Sequence, residues 1–386
     1  MLEKFDASTL DEEFLSSDDG QFLVWAHGLY EREIELQAVE RTERSIDAAY
    51  YDGDQHSEEE KLEYEERNQT PRVFNQIKPT VDWILGGERR ARTDWQVSPR
   101  TNDDVESAIV KTKLAKYIDD INKAKWHRSS AYEDMVKTGE GWTRISFERN
   151  PDGDFQIILS HEHWRNMVAD STSRKVDMSD LGYLYCTKVV DLNSLVKRWP
   201  DKASELKQQA EDREDLVQEQ LEEGMLSYDH DDNERSTTIR SGVFSVNSHG
   251  SSARQAVRVW EFWYKQTDTV KLFKGQGPFN NEVFDDKNEE HQQLVATGTY
   301  ELRETTREQM YCAMYTRDTV LYRQRSPYKH NRFPFVRRVA YIKDKTGTPY
   351  GIIRQIRDPQ SDLNRRRNRA LYLMSVTRVI MEKDAV

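Results

Sequence analysis

The segment from Tyr350 to Met374 reads YGIIRQIRDPQSDLNRRRNRALYLM and largely decides the interpretation of the chain. Asp358 followed by Pro359 is typical of a helix start, because an N-cap carboxylate and a first-turn proline both suit that position. We therefore expect a helix from Pro359 to about Arg378. It carries a cluster of four basic residues: Arg365, Arg366, Arg367 and Arg369.

The distribution of these arginines around the helix argues against simple burial. At roughly 100° per residue they spread over about half of the circumference. Leu363, Ala370 and Met374 share one face, and Arg367 lies close beside it. We expect such a helix to pack between neighbouring molecules, with guanidinium groups pairing carboxylates of another subunit or facing phosphates. A merely solvated basic face is the alternative.

Charge is unevenly distributed along the 386 residues, whose formal net charge is −12. From Arg317 onward there are 17 Lys and Arg against 6 Asp and Glu, which leaves 40 against 63 for the preceding 316 residues. This asymmetry suggests that the basic end meets nucleic acid or the acidic surface of another copy. No apolar run approaches the roughly 18 residues of a membrane span. The two cysteines are too few for a disulfide scaffold and fit a reducing compartment.

The N-terminal third of the sequence predicts helices. The apolar spacing predicts a helix over residues 20–45, followed by a solvated acidic connector that ends at Pro71. A second helix is expected to start near Pro71, to break at Pro79 and to stop at Gly86-Gly87. Two further helices follow, one capped by the residues Asn102, Asp103 and Asp104 and one over 126–137 that ends at Gly139 or Gly141.

The rest of the chain is richer in β-patterns. Residues 141–148 and 155–160 are predicted to form a hairpin, and residues 183–190 to form a strand that precedes a short helix. A charged, exposed helix is expected over 201–223 and a mobile loop over about 227–255. Strand-like runs then continue from Val257 to Ile342. The predicted class is α+β.

Three other motifs are candidate sites, but each has a simpler explanation. His161 and His163 flank Glu162 and could offer two imidazoles to a metal, but no third ligand is placed beside them. The Asp152-Gly153-Asp154 sequence resembles a calcium loop without its remaining ligands, so a β-turn explains it better. The run from Gly86 to Arg90 could cradle a phosphate but lacks the Lys-Ser/Thr of a P-loop. We therefore expect no catalytic residues, no metal and no cofactor.

Three blocks of the chain resemble the large portal proteins of short-tailed, double-stranded DNA phages. They cover Arg67 to Thr101, His161 to Ala203 and Ser326 to Val386, and the strand VRVWEFWYK from Val257 agrees with them. The most specific pattern is the spacing within the third block, which comprises Tyr350, Gly351, Asp358, Pro359, Gln360 and Asn364.

The resemblance implies a fold and an assembly. The fold would be a mixed helical and β-rich wing that leads into a long stem helix. Residues 1–70 would form an N-terminal helical and acidic segment of the wing, residues 71–350 the wing domain, and residues 351–386 the start of the stem. The sequence contains no counterpart of the clip, returning stem helix and crown, so we expect a fragment or a divided protein.

The resemblance also implies a function and partners. Portal subunits form a ring, typically of twelve, at one capsid vertex, through which double-stranded DNA is packaged and ejected. The expected partners are the terminase large subunit, the tail adaptor and the major capsid protein. The expected location is the virion, with the host cytoplasm during assembly, and no enzymatic activity or membrane contact is implied. The alternative is a nucleic-acid-binding module that uses the basic C-terminal helix, with affinity that falls steeply as salt rises.

Overall fold

A computed structural model of the protein describes residues 17–91, 95–149, 155–222, 254–275, 279–280, 283–284, 289–298 and 300–375. It begins with a long helix, α1 (Asp18–Asp52), which exceeds the predicted helix at both ends. The Ser17 hydroxyl caps it by accepting a hydrogen bond from the Gly20 N–H at 3.0 Å. It ends at Gly53, whose φ of 101° places it in the left-handed region that glycine adopts most readily.

The acidic connector is solvated over residues 58–66, as predicted, but it is helical there, which was not predicted. Helix α2 (Glu58–Glu66) is capped by Ser57, whose hydroxyl accepts from the Glu60 N–H. None of its residues is buried. Its stability therefore rests on the cap and on the glutamates of its first turn, which suit the positive end of a helix.

The next helix, α3 (Ile77–Arg90), starts later and ends later than expected. The Asn75 side-chain oxygen accepts from the N–H groups of Ile77 and Lys78, and Pro79 falls in the first turn, where no intrahelical N–H bond is lost. The predicted break at Pro79 and stop at Gly86-Gly87 are thus wrong. Ile77, Val81 and Leu85 form a buried stripe, and its packing stabilises the helix beyond the two glycines, up to Arg90.

Two helices follow as expected. A short 3-10 turn (Asn102–Asp104) leads into α4 (Val105–Ile121), although Asp104 makes no side-chain cap. Helix α5 (Ala124–Thr138) then ends at Gly139, which has a φ of 103°.

Residues after α5 form a small antiparallel sheet with strand order β2-β1-β9. The predicted hairpin is confirmed, because β1 (Glu140–Arg149) pairs β2 (Phe155–Glu162) from Trp142↔Glu162 to Arg149↔Phe155. The last strand of this sheet is β9 (Phe335–Val339). The turn at Asp152-Gly153-Asp154 lies outside the described residues.

A larger antiparallel sheet has the strand order β3-β4-β6-β7-β8, with a short strand β5 on β6. Its strands are β3 (Met167–Ala169), β4 (Tyr183–Asp191), β5 (Glu211–Asp212), β6 (Gln255–Lys274), β7 (Glu301–Tyr315) and β8 (Val320–Arg325). Before its last helix the chain also forms a 3-10 turn (Trp164–Asn166), α6 (Leu192–Arg198), a second 3-10 turn (Pro200–Lys202), α7 (Ala203–Gln208), α8 (Arg213–Glu222) and α9 (Glu289–Ala296). The strands β10 (Tyr341–Ile342) and β11 (Pro349–Tyr350) pair with each other in a separate two-stranded sheet.

Two sequence predictions concern the segment before β6. The single exposed helix expected over 201–223 is instead two helices, α7 and α8, separated by β5. Of the loop expected at about 227–255, residues 227–253 lie outside the described residues, and Gln255 already begins β6.

The core lies on both faces of the larger sheet. Helix α1 covers one face with Phe22, Ala26 and Tyr30, which pack against Tyr185 and Phe262. The small sheet covers the other. Because β6 is covered on both sides, it has no solvent face there. All of its residues from Ala256 to Tyr264 are buried.

The combination of helices with antiparallel sheets confirms the α+β class. Within the described residues, no helix is both long enough and apolar enough to cross a membrane.

Candidate assembly site around the C-terminal helix

The C-terminal helix, α10 (Ile353–Ser375), begins six residues before Pro359. The predicted cap and first-turn roles of Asp358 and Pro359 are therefore wrong. Ile353 is fully buried beside Val81 and Val136, and the Ile352 N–H donates to the Val136 carbonyl at 3.0 Å. This packing starts the helix early, and Pro359 is tolerated inside it at the loss of one backbone hydrogen bond.

Glycines make a close backbone junction in front of α10. A Cβ on Gly351 would lie 2.2 Å from the Lys137 carbonyl oxygen, and one on Gly139 would lie 2.4 Å from the Tyr350 Cα. Any larger residue at these two positions would push the end of α5 away from the start of α10. The Tyr350-Gly351 pair thus marks a close contact between backbones.

Three amide side chains, spaced four residues apart, form one buried face of α10. We call this set of Gln360, Asn364 and Asn368 the amide ladder; their exposed fractions are 4%, 1% and 6%. They bind the extended segment Arg72–Gln76, which lies between α2 and α3.

The ladder forms hydrogen bonds with the backbone N–H and carbonyl groups of that segment, much as a neighbouring strand would. Asn368 accepts from the Arg72 N–H at 3.1 Å and donates to its carbonyl at 3.0 Å. Asn364 accepts from the Phe74 N–H at 2.9 Å, while Gln360 donates to the Phe74 carbonyl at 2.9 Å and accepts from the Gln76 N–H at 3.0 Å.

The match has a geometric origin. Four residues advance a helix by about 6 Å, and two residues advance an extended chain by about 6.6 Å. Every fourth helical residue therefore faces every second residue of Arg72–Gln76, with the two segments running in opposite directions. The Asn364 amide completes the set by donating to the Gln55 side-chain oxygen at 2.7 Å.

A buried ion cluster ties the first turns of α10 to α1. Arg354 donates to the Asp47 carboxylate at 2.8 Å, and Arg357 donates to Asp47 at 3.2 Å and to Glu43 at 2.7 Å. Asp47 is fully buried. Burial raises the pKa of Asp47 to about 6, although both guanidinium groups pull it downward, so the carboxyl is mostly ionised at neutral pH.

A second buried carboxylate joins α1 to the small sheet. Glu140 accepts hydrogen bonds from Arg44 and from Arg337, the latter at 2.8 Å. Burial opposes its charged form, but the guanidinium groups of Arg44 and Arg337 outweigh burial and lower the pKa of Glu140. Helix α1 is thus fixed both to α10 and to the sheet that precedes it.

The four predicted arginines of α10 divide into two pairs. Arg365 donates to Glu60 at 2.6 Å, and the Arg367 guanidinium lies 5.1 Å from the centre of the Phe74 ring, so both contact their own chain. Arg366 donates to Asp362, four residues earlier, and both Arg366 and Arg369 are exposed. At 100° per residue these last two lie roughly opposite the amide ladder.

Sequence reasoning missed several residues of this site. Asn368, Arg354 and Arg357 were not singled out, although the four-residue spacing from Gln360 to Asn368 is visible in the sequence. The partners on α1 were missed as well. Glu40, Glu43 and Asp47 share one helical face, and that spacing could have indicated a charged contact.

The remaining motifs have structural roles. The His161 Nε2 lies 2.8 Å from the Asp134 carboxylate, and its ring lies 6.5 Å from that of His163. Among the described residues, no group of three or more His, Cys, Asp or Glu side chains could hold a metal ion. The run from Gly86 to Arg90 lies within α3 and forms no phosphate loop.

Comparison with known proteins adds the decisive observation. A family model described as phage P22-like portal protein matches residues 27–386. The chain belongs to this portal family. Both α1, from its tenth residue onward, and the whole of α10 lie within the matched range. No curated protein matches the chain.

Membership confirms the resemblance and gives the site its context. Portal subunits are structural components of an oligomeric ring at the capsid vertex of the virion, through which phage DNA passes. The comparisons give no support to a separate nucleic-acid-binding module. The contacts of α10 attach one side of the helix to the rest of the subunit, and Arg366 and Arg369 on the other side are exposed in the described part of the chain.

Proposed function

We propose that this portal subunit assembles as a ring of twelve and that α10 is the start of its stem. Residues 1–350 would form the wing, with residues 1–70 as its N-terminal segment and 71–350 as its main domain, and residues 351–386 would begin the stem. The ring would pass double-stranded DNA during packaging and ejection.

The observation that carries the proposal is the one-sided anchorage of α10. The amide ladder and the Asp47 cluster hold one side, while Arg366 and Arg369 on the other side remain exposed. Guanidinium groups on a fixed helix can pair carboxylates of the adjacent subunit or face phosphates of the passing DNA. Arg365 and Arg367 contribute less, since Glu60 and Phe74 already engage them.

The proposed partners follow the portal family. They are the terminase large subunit, the tail adaptor and the major capsid protein, met first in the host cytoplasm during assembly. We assign no catalytic residue and no cofactor to the chain. A net charge of −12 suits a conduit, because each neutralised phosphate strengthens attachment and would slow the passage of DNA.

Particle imaging tests the proposal. Electron microscopy of the wild-type chain, over a wide range of concentrations, should show rings with a central hole. The double variant Arg366→Glu with Arg369→Glu should form fewer or incomplete rings, or rings that no longer retain DNA at low salt.

Arg303→Glu with Arg307→Glu is the matched control, because these two arginines are exposed on β7, away from α10. It should assemble like the wild type. A wild-type chain that stays monomeric throughout would refute the ring. Normal rings and unchanged DNA retention in the Arg366 and Arg369 variant would refute the role of the basic face.

A further inference from the structure

Helix α4 presents its large apolar side chains away from the protein. Ala108 is its one buried residue. Four others, separated by four, three and four positions, are 45% to 63% exposed; we call Val110, Leu114, Tyr117 and Ile121 the α4 stripe. At 100° per residue the stripe occupies an arc of about 60°.

The opposite face of α4 is the one that holds the helix in place. The Thr112 hydroxyl accepts from the Val97 N–H at 2.9 Å, and Arg128 donates to Asp119 at 3.2 Å. Just after the helix, Asn122 donates to the Ile157 carbonyl at 2.9 Å and accepts from the Leu159 N–H at 3.2 Å. Small and polar groups therefore face inward, which reverses the usual arrangement of a surface helix.

Such a reversal indicates a contact with another molecule. A 17-residue helix is only marginally stable without packing of its apolar face. A contiguous exposed apolar stripe bordered by polar residues is typical of an interaction surface. In the described part of the chain, α4 carries such a stripe, and its inward face is almost entirely small or polar.

A second copy of this chain is the favoured occupant of the stripe, because the chain belongs to a family whose subunits assemble in a ring. Lys111 borders the stripe on one side, and Lys113 borders it on the other together with the acidic Glu106 and Asp120, so the border carries charges of both signs. Helix α2 shows the kind of surface that would complement it. Its outward side carries Glu59, Glu65 and Glu66 around Leu62, which is 40% exposed. A DNA backbone, in contrast, offers no apolar surface to the stripe.

We infer that the α4 stripe is a flank of the subunit that packs against an acidic and apolar surface of the adjacent copy. This inference rests on the proposed ring and names one of its contact surfaces. In a closed ring each subunit uses two different flanks, so a single stripe per chain is enough to join all copies.

Substitution of the stripe separates the inference from the ring itself. Leu114→Asp with Tyr117→Asp should weaken self-association at least tenfold in sedimentation velocity and mass photometry, and should abolish rings. The matched control is Leu36→Asp with Val39→Asp on α1, where the side chains are similarly exposed at 59% and 57%. The control should assemble normally, and both variants should keep the circular dichroism spectrum of the wild type.

Isotope-mixed cross-linking identifies the occupant. Equal amounts of ¹⁵N-labelled and unlabelled full chains would be assembled and treated with a carbodiimide, which joins lysine to carboxylate without a spacer. Cross-links from Lys111 or Lys113 that join a ¹⁵N-labelled peptide to an unlabelled peptide would support the second copy as the occupant. Links found only within one isotope would show that the chain's own residues cover the stripe, and would overturn the inference.

The remaining outcomes are distinguishable. Wild-type rings together with equally good rings from the Leu114 and Tyr117 variant would overturn the inference and leave the portal ring intact. Equal loss of assembly in the Leu36 and Val39 control would also overturn it, because the effect would not be specific to α4. A monomeric wild-type chain would contradict the ring and the inference together.

Discussion

The Asn364 side-chain oxygen accepts a hydrogen bond from the Phe74 N–H at 2.9 Å, across 290 positions of sequence. Phe74 belongs to an extended segment that pairs with no strand among the described residues. The amide ladder therefore takes the place of a strand and joins the C-terminal helix to the segment that leads into α3. Both the hydrogen bonds of the ladder and the packing of Ile353 favour the observed orientation of α10.

Asn364→Ala should destabilise the protein by about 2–4 kcal/mol, because it leaves the Phe74 N–H and the Gln55 side chain buried without these partners. Urea denaturation would measure the loss. Hydrogen exchange at the Phe74 amide should accelerate in the same variant. The exposed Gln355→Ala on the same helix is the control and should change stability by less than about 0.5 kcal/mol. Unchanged exchange at Phe74 would contradict the ladder.

Glycine substitutions should have opposite effects at two positions. Gly351→Ala places a Cβ 2.2 Å from the Lys137 carbonyl oxygen, so it should destabilise the protein by about 1–3 kcal/mol or more. Gly86→Ala lies inside α3 with open space around it, and should stabilise the protein by up to about 1 kcal/mol. Thermal unfolding of the two variants would decide the matter, and a Gly351 variant as stable as the wild type would disprove the close junction.

Asp47→Asn should cost about 1–3 kcal/mol, because it removes the charged acceptor of Arg354 and Arg357 while Glu40 and Glu43 remain beside them as counter-charges. The comparison is Asp362→Asn, which affects a pair with Arg366 at the surface and should cost at most about 1 kcal/mol. Chemical denaturation at pH 7 measures both. Equal costs for the two variants would show that the buried cluster contributes no more than a surface pair.

His27 should make stability depend on pH. Its buried ring contacts those of Tyr30 and Trp260, and burial, with smaller effects from Arg258 and Arg317, lowers the pKa of His27 to about 4. The unfolded chain takes up this proton near pH 6.5 and the folded chain only near 4. The stabilisation is therefore complete above pH 6.5 and is lost as pH falls towards 4, by about 3 kcal/mol in total.

The comparison of wild type with His27→Gln isolates this effect from other titrating groups. The difference in their unfolding free energies should shift by about 3 kcal/mol between pH 7 and pH 4. His330→Gln, at an exposed position, should give a much smaller shift. Parallel pH profiles for the wild type and His27→Gln would contradict the assignment.

The sequence predicted those elements whose signals are local. The hairpin between β1 and β2 follows from alternation around a turn, and the end of α5 follows from Gly139. The start of α10 could not be predicted in this way. Asp358-Pro359 is a strong local start signal, but burial of Ile353 against Val81 and Val136 overrides it, and those contacts are distant in sequence.

The candidate site was predictable only where its signals are local in sequence. The arginines of α10 are conspicuous in sequence, but only the fold shows that Glu60 and Phe74 engage two of them. The opposite case is α4. Its apolar spacing correctly predicted a helix, yet the natural assumption that apolar residues face inward fails there, since Thr112 and Asn122 form the attached side.

The geometry of the amide ladder also restricts how this region can change in length. A residue inserted or deleted between Gly351 and Asn368 would rotate the following part of α10 by about 100° and carry at least one amide away from its partner. A single insertion within Arg72–Gln76 would turn the facing N–H and carbonyl groups to the opposite side. Related chains should therefore vary here by replacement of residues, while gains and losses of length accumulate in other segments.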